Sequence, residues 1–344
     1  MKIKNKLVRA ISLGTTLMLS TSAMAATELR VATWMPPTNA QNADVWPTWG
    51  KWVEDATEGR VKVVVEQTSG DPGSLFNLVE DGVYDASFSY HGYLPGRFKL
   101  PQIVEQPGLG VGAESASVAL WRVYNKYFSD SYEFDGLELI GMFTHGPGVL
   151  HSREPINSLS DLKGKKIRIG GGVQTEIGNR LEVTPVAAPA PKVYEMLQQG
   201  IIDGTFLPIS EQKNLRLNEV APNVTIFPGG LYLGSFSIFM NPDFLESLSA
   251  EDREAILGVS GEKLSAMAGK AWERIDAVGY KAAEEKDVHV NNIDGNSPVA
   301  NSFYKAINGM KEDWVTSVSD RTDMAETAMD ELWEIARDYE NAKQ

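Results

Sequence analysis

The sequence predicts an α/β protein built as two lobes with a long helical tail. Three observations carry that expectation. Strand and helix patterns alternate over residues 28–90, the alternation starts again after residue 150, and from Ser249 the chain turns mainly helical. A chain of 344 residues can bury a large core and would divide in two. No tandem repeat or low-complexity linker intervenes, so ordered strands would join the lobes, leaving a cleft of the kind where small ligands sit.

"ELRVATW" (28–34) alternates Leu29, Val31 and Thr33 against Arg30 and Ala32, a strand pattern, and stops at Pro36-Pro37. In "NADVWPTWGKWVEDATEG", Trp46, Trp49, Trp52 and Val53 recur at helical spacing until Gly59. "RVKVVVEQ" (60–67) predicts a second strand, "GSLFNLVEDG" a short helix closed by Gly82, and "YDASFSYHGY" a third strand. That order is the signature of a parallel, doubly wound sheet. After residue 150, Ser158 and Asp161 stand at capping-box spacing ahead of the strand "KKIRI". "PKVYEMLQQG" sets Val193, Met196 and Leu197 on one helical face and ends at Gly200. "IIDGTF" (201–206) predicts the next strand, and the apolar "GGLYLGSFSIFMN" (229–241) suits a strand crossing between lobes. Beyond Ser249 one very long helix is expected, packed through Ile256, Leu264, Met267, Ala268, Ala271, Trp272 and Ile275. A short strand "VHVNNI" and further helix over 300–341 complete the pattern.

The first 25 residues have the form of a secretory signal peptide. Lys2, Lys4, Lys6 and Arg9 precede an apolar run that ends Ala23-Met24-Ala25, which predicts cleavage after Ala25. No later stretch reaches the roughly 18 apolar residues of a spanning helix. Cleavage would remove four of the 32 basic residues and none of the 46 acidic ones, taking the net charge from -14 to -18. So acidic a surface argues against nucleic acid and anionic membranes. Cysteine is absent, which excludes disulfides, thiolate metal sites and a Cys nucleophile.

Enzyme chemistry finds little support. His91, His145, His151 and His289 form no HExxH, and no GxSxG occurs. "IGGGVQTE" matches neither phosphate-loop pattern, so Gly170 to Gly172 are expected to let the backbone turn or come close to a ligand. "NNIDGN" has too few acids for a calcium loop, and no metal or cofactor is expected. His145, in "MFTHGPG", is either a turn histidine bonded to backbone or a ligand contact. Trp46, Trp49 and Trp52 read as a core stripe. Trp34 ends the first strand, where ligand crevices of α/β sheets lie, and Tyr90, His91 and Tyr93 end another. In "KKIRIG", Ile167 and Ile169 share one face while Lys166 and Arg168 share the other. An arginine there needs an anion, either a structural partner such as Asp203 or a ligand carboxylate.

"INSLSDLKGKKIRI", followed about two dozen residues later by "VYEMLQQGIIDG" and then "LP", resembles the periplasmic solute-binding subunits of TRAP (tripartite ATP-independent periplasmic) transporters, the DctP-type family. "EGRVKVVV", "DGVYDASF" and "FLESLSAEDREAI" fall in family order, so the resemblance covers essentially the whole mature chain. It implies a two-lobed periplasmic binding protein with hinge strands and a long helix spanning both lobes. It also implies no catalysis, a small organic-acid ligand, delivery to membrane permease subunits, and usually a monomer. The expected divisions are lobe 1 over 26–145, lobe 2 over 146–232, a crossover strand and helix over 233–275, and a helical region over 276–344 packing across the lobes.

The family's carboxylate-binding arginine falls on Arg168. Where sugar-acid-binding members carry a second arginine this chain has Gly148, and where they carry an aromatic residue it has Ala190. Thr205-Phe206-Leu207-Pro208 stands where others place an asparagine or an acid that holds an ion, so no ion is carried over. The expected pocket therefore has one cation and apolar walls from Trp34, Phe206, Leu207, Tyr232 and Phe236, with His145 as a polar contact and Tyr90 and His91 as weaker candidates. That favours a monocarboxylate with an apolar or aromatic body. The alternatives are a betaine- or ectoine-like zwitterion, whose cation aromatic faces attract, and a sensory role on the same fold.

Overall fold

The computed structural model describes residues 25–343, so all of the expected signal peptide except Ala25 lies outside the described residues. The chain opens as β1 (Thr27–Thr33), α1 (Trp46–Ala56), β2 (Val61–Gln67), α2 (Leu75–Glu80) and β3 (Ala86–Tyr90). It continues through α3 (Ala113–Tyr127) and β4 (Glu138–Thr144). A second unit follows: β5 (Gly148–Ser152), β6 (Lys166–Ile169), α4 (Val173–Arg180), β7 (Thr184–Ala187), α5 (Val193–Gln198), β8 (Gly204–Pro208), α6 (Glu211–Asn214) and β9 (Asn223–Ile226). The last part is β10 (Ser235–Met240), α7 (Pro242–Ser247), α8 (Ala250–Gly258), α9 (Glu262–Glu284), β11 (His289–Asn292), α10 (Pro298–Ile307), α11 (Met310–Ser317) and α12 (Ala325–Ala342).

The strands form two sheets, one five-stranded in the order β2-β1-β3-β10-β4 and one six-stranded in the order β11-β9-β5-β8-β6-β7. Both are mixed: the parallel arrangement expected for the first three strands is present, and antiparallel strands are added to it. β1 runs parallel to β2 and β3, but β10 enters from the other lobe and pairs antiparallel with β3 and β4. In the second sheet β6 is parallel to β7 and β8, and β5 is antiparallel to β8 and β9.

Three boundaries move for local reasons. The strand expected at 201–206 begins at Gly204, because Ile201 to Asp203 complete the turn after Gly200, whose φ is +69°. The crossover segment becomes a strand only at Ser235, after Gly229 and Gly230, both with positive φ. The long helix is two: Gly261, at φ +66°, breaks it into α8 and α9. Residues 113–127, assigned no element from sequence, form α3.

α9 ties the molecule together. It packs on α3 and β4 in the first lobe and on α6 in the second. Glycines allow that approach: a Cβ on Gly269 would stand 2.5 Å from the Ala113 carbonyl oxygen, and one on Gly279 would stand 2.3 Å from that of Ile209. Both obstacles are backbone, so relief requires moving a helix. Gly269→Val is expected to lower stability by about 1–3 kcal/mol through overpacking, measured by thermal or urea denaturation.

Candidate functional site

The C-terminal ends of β1, β3, β6 and β8 meet the links 145–147 and 227–234 around one cavity between the sheets. Side chains fill most of it, leaving a cavity of about 30 Å³, well below the roughly 300–1,000 Å³ of open ligand pockets. Its most consequential wall residue is Arg168, only 1% exposed. Nε donates to the Ala188 carbonyl at 2.7 Å and Nη1 to the Phe206 carbonyl at 3.4 Å. Among the described residues no carboxylate partners it. Asp203, the candidate internal partner, instead takes the Lys166 backbone N–H at 2.8 Å. A guanidinium out of water with two of its five donors on carbonyls and no counter-charge is prepared for an anion.

Aromatic residues surround it. Trp34 donates Nε1 to the Phe88 carbonyl at 3.1 Å and stacks on the Phe88 ring, which fixes its indole against the cavity. Tyr90 and Tyr93 meet edge to face at 5.1 Å, and Tyr90 leans on Phe236 at 5.4 Å. Burial raises both phenols well above or above their ordinary value; beside Tyr93, Arg168 works against that rise. Trp272 stacks on Phe236 at 5.7 Å. Tyr232 hydrogen-bonds the Phe206 carbonyl at 3.3 Å, and a Cβ on Gly148 would meet its ring at 2.2 Å. The tyrosine ring thus occupies the place where a Gly148 side chain would lie.

His145 is bonded to backbone and faces the cavity. Nδ1 faces the Gly146 carbonyl at 2.5 Å and must carry the proton, which leaves Nε2 bare, and the ring lines the cavity. Burial lowers its pKa to about 4, so it is neutral at physiological pH.

The structure thus brings Arg168, Trp34, Tyr90, His145, Leu207, Tyr232 and Phe236 to one cavity. Two expected residues are elsewhere. Phe206 is fully buried in the core of the second lobe, because consecutive strand residues face opposite sides and Leu207 takes the cavity side. Only its carbonyl reaches Arg168. His91 lies beneath the first lobe, beside Phe76, Phe98 and Phe134, with Nδ1 at 2.9 Å from Ser235 Oγ; burial lowers its pKa to about 3. Sequence reasoning missed Met35, Gln174, Pro208 and Glu211 as wall residues and placed Trp272 only in the helix core.

The two lobes touch beside the cavity. Gln174, on α4, donates Nε2 to the Tyr90 hydroxyl at 3.1 Å. That hydroxyl in turn donates to Glu105 at 3.2 Å, whose carboxyl also accepts from Ser235 N and Oγ at 2.9 and 2.7 Å. Burial pushes Glu105 up to about 7. Gly171 packs directly on the Gly92 carbonyl. The triple glycine is therefore a contact between lobes. No cluster of three or more metal-ligating side chains occurs among the described residues.

The family model for bacterial extracellular solute-binding protein, family 7 (DctP), matches residues 31–310. The chain belongs to this family. Among solved DctP-type structures, a TRAP periplasmic solute-binding protein from Bordetella bronchiseptica, with bound (R)- and (S)-mandelate, is 31% identical with a TM-score of 0.87, covering 91% of this chain and 99% of that one. A TRAP solute-binding protein from Rhodoferax ferrireducens, in complex with benzoate, is 26% identical with a TM-score of 0.86, covering 93% of this chain and all of that one. The ectoine-binding periplasmic protein TeaA of Halomonas elongata is 29% identical over 209 residues, which is 60% of this chain and 61% of TeaA. DctP-type proteins are extracytoplasmic binding subunits that work with membrane permeases, and the two-sheet, two-lobed architecture matches theirs.

Proposed function

We propose that this protein captures a small aromatic monocarboxylate between its lobes and delivers it to the permease of a TRAP transporter, after export and cleavage following Ala25. One observation carries the reading: Arg168 is buried in an aromatic cavity, and among the described residues no carboxylate forms an ion pair with it. Arg168 clamps the carboxylate, while Trp34, Tyr90, Tyr93, Tyr232 and Phe236 take the ring out of water. The mandelate and benzoate found in the two similar structures are ligands of this shape. A zwitterion such as ectoine needs an anionic wall besides Arg168. Glu211 is the carboxylate lining the cavity, and burial pushes it up to about 8, leaving it mostly uncharged at neutral pH. The protein acts as a monomer and performs no chemistry on its ligand.

A thermal-shift screen of refolded, ligand-free protein tests this. Saturation at a thousand times Kd adds about 4 kcal/mol, on the order of 8 °C for a chain of this size. Shifts of that size are expected with benzoate or mandelate. Shifts confined to ectoine- or betaine-like solutes would overturn the assignment.

A further inference from the structure

Two polar groups of the cavity remain without partners once Arg168 has its carboxylate. Glu211, the first residue of α6, is 2% exposed and lines the cavity, yet its Oε2 has no hydrogen-bond partner among the described residues. Trp272, on α9, also lines the cavity, and its indole Nε1 is buried and equally unpartnered. The two belong to one side of the site. α6 packs on α9, and Ser210, just before Glu211, donates its N–H at 3.2 Å to Asp276, one turn along from Trp272. A ligand consisting only of a carboxylate and a bare ring would leave both groups unsatisfied and out of water.

We propose that Glu211 is a specificity residue of this site that hydrogen-bonds a hydroxyl on the ligand, which makes the preferred substrate class hydroxylated aromatic monocarboxylates. This rests on the carboxylate reading of the cavity given above. A hydroxyl suits the pair because it accepts from the Trp272 N–H while exchanging a hydrogen bond with the Glu211 carboxyl. Glu211 plays this part as the neutral acid. The groups facing it are Asp276 from α9, Arg168 from β6, Tyr93 and Tyr232 across the cavity, and Asn214 from its own helix. Burial and Asp276 raise its pKa to about 8 against the opposing pull of Asn214 and Arg168. Above that value a second anion would share the cavity with the ligand carboxylate, so affinity falls as pH rises through it.

Calorimetric titration of the refolded protein with mandelate and with phenylacetate, which differ by one hydroxyl, tests the inference at pH 6.5 and pH 9. Mandelate is expected to bind about tenfold tighter or more at pH 6.5, a gap of one good hydrogen bond. Its affinity is expected to fall about tenfold by pH 9, as one ionisation beyond the raised value requires. Glu211→Gln, which keeps shape and hydrogen bonding without the charge, retains the mandelate preference and loses the pH dependence. Glu211→Leu closes the gap between the two acids. A gap that survives Glu211→Leu, or wild-type affinity that is flat with pH, overturns the proposal while the aromatic-acid reading stands. Failure of both acids to bind at pH 6.5 removes that reading, and this inference with it.

Discussion

Arg168→Ala is expected to weaken binding of benzoate or mandelate by roughly 2–5 kcal/mol, about 30- to 5,000-fold, because a desolvated carboxylate loses its counter-charge. The effect on the ligand-free protein runs the other way. An ordinary buried arginine is held by a carboxylate, as Arg321 is by Glu133, and removing one partner of such a pair destabilises the fold. Among the described residues Arg168 meets uncharged partners, the Ala188 and Phe206 carbonyls and the Tyr93 hydroxyl, so its desolvation in the empty protein is incompletely repaid. Arg168→Met, which keeps length without charge, is expected to leave ligand-free stability unchanged or raised while abolishing the thermal shift with either acid. Denaturation with and without ligand separates the two effects. A variant that unfolds more easily but binds as before would show that Arg168 is scaffold.

The residue that matters most was legible because strand geometry is strict. "KKIRI" alternates, so the charged side chain of Arg168 had to leave the face of Ile167 and Ile169, and a strand end in an α/β sheet opens on the crevice. The same rule separates Leu207, on the cavity side of β8, from Phe206, on its core side. The walls that escaped are those whose position depends on the other lobe. Glu211 follows a short strand with no local sign that it will be buried, and Trp272 sits at ordinary core spacing on its helix. Gly148 was visible as a departure from sugar-acid-binding relatives, but that Tyr232 fills its place is a fact of packing between distant segments.

Fold legibility divided along similar lines. Elements with one polar face or a distinct stop were readable: α1 up to Gly59, α2 up to Gly82 and the capped turn at Ser158 all carry their signals locally. α3 was not. Its first half, Ala113 and Ser115 to Leu120, is buried on nearly every side, against α9, α12 and β4, so the exposed polar stripe is confined to Arg122, Asn125 and Lys126 in the second half. The antiparallel entry of β10 depends on the path of the chain between lobes, which periodicity does not record.

Gly171→Ala is expected to block closure, and with it tight binding. Gly171 has φ +96°, and a Cβ there would lie 2.3 Å from the Gly92 carbonyl oxygen across the lobe interface. Two penalties combine. The backbone strain, on the order of 1–2 kcal/mol, is present whether the lobes are open or closed and lowers stability alone. The collision exists only when the lobes meet, because Gly92 belongs to the end of β3 and Gly171 to the end of β6, and its obstacle is backbone that no side-chain rotation relieves. Gly164→Ala supplies the control: φ is +73° but nothing lies within 4 Å of the added Cβ, so it carries the strain without the collision. The two variants are expected to lose similar stability, while only Gly171→Ala loses affinity. If closure is held to one molecule in a hundred, apparent affinity falls about a hundredfold, since binding is diluted by the fraction of competent protein. Solution scattering at a benzoate concentration just sufficient to saturate the wild type should then show Gly171→Ala extended, and Gly164→Ala compact. Equal affinity losses in both variants would mean that the triple glycine matters for its local turn and that closure runs through the Gln174–Tyr90–Glu105 contacts instead.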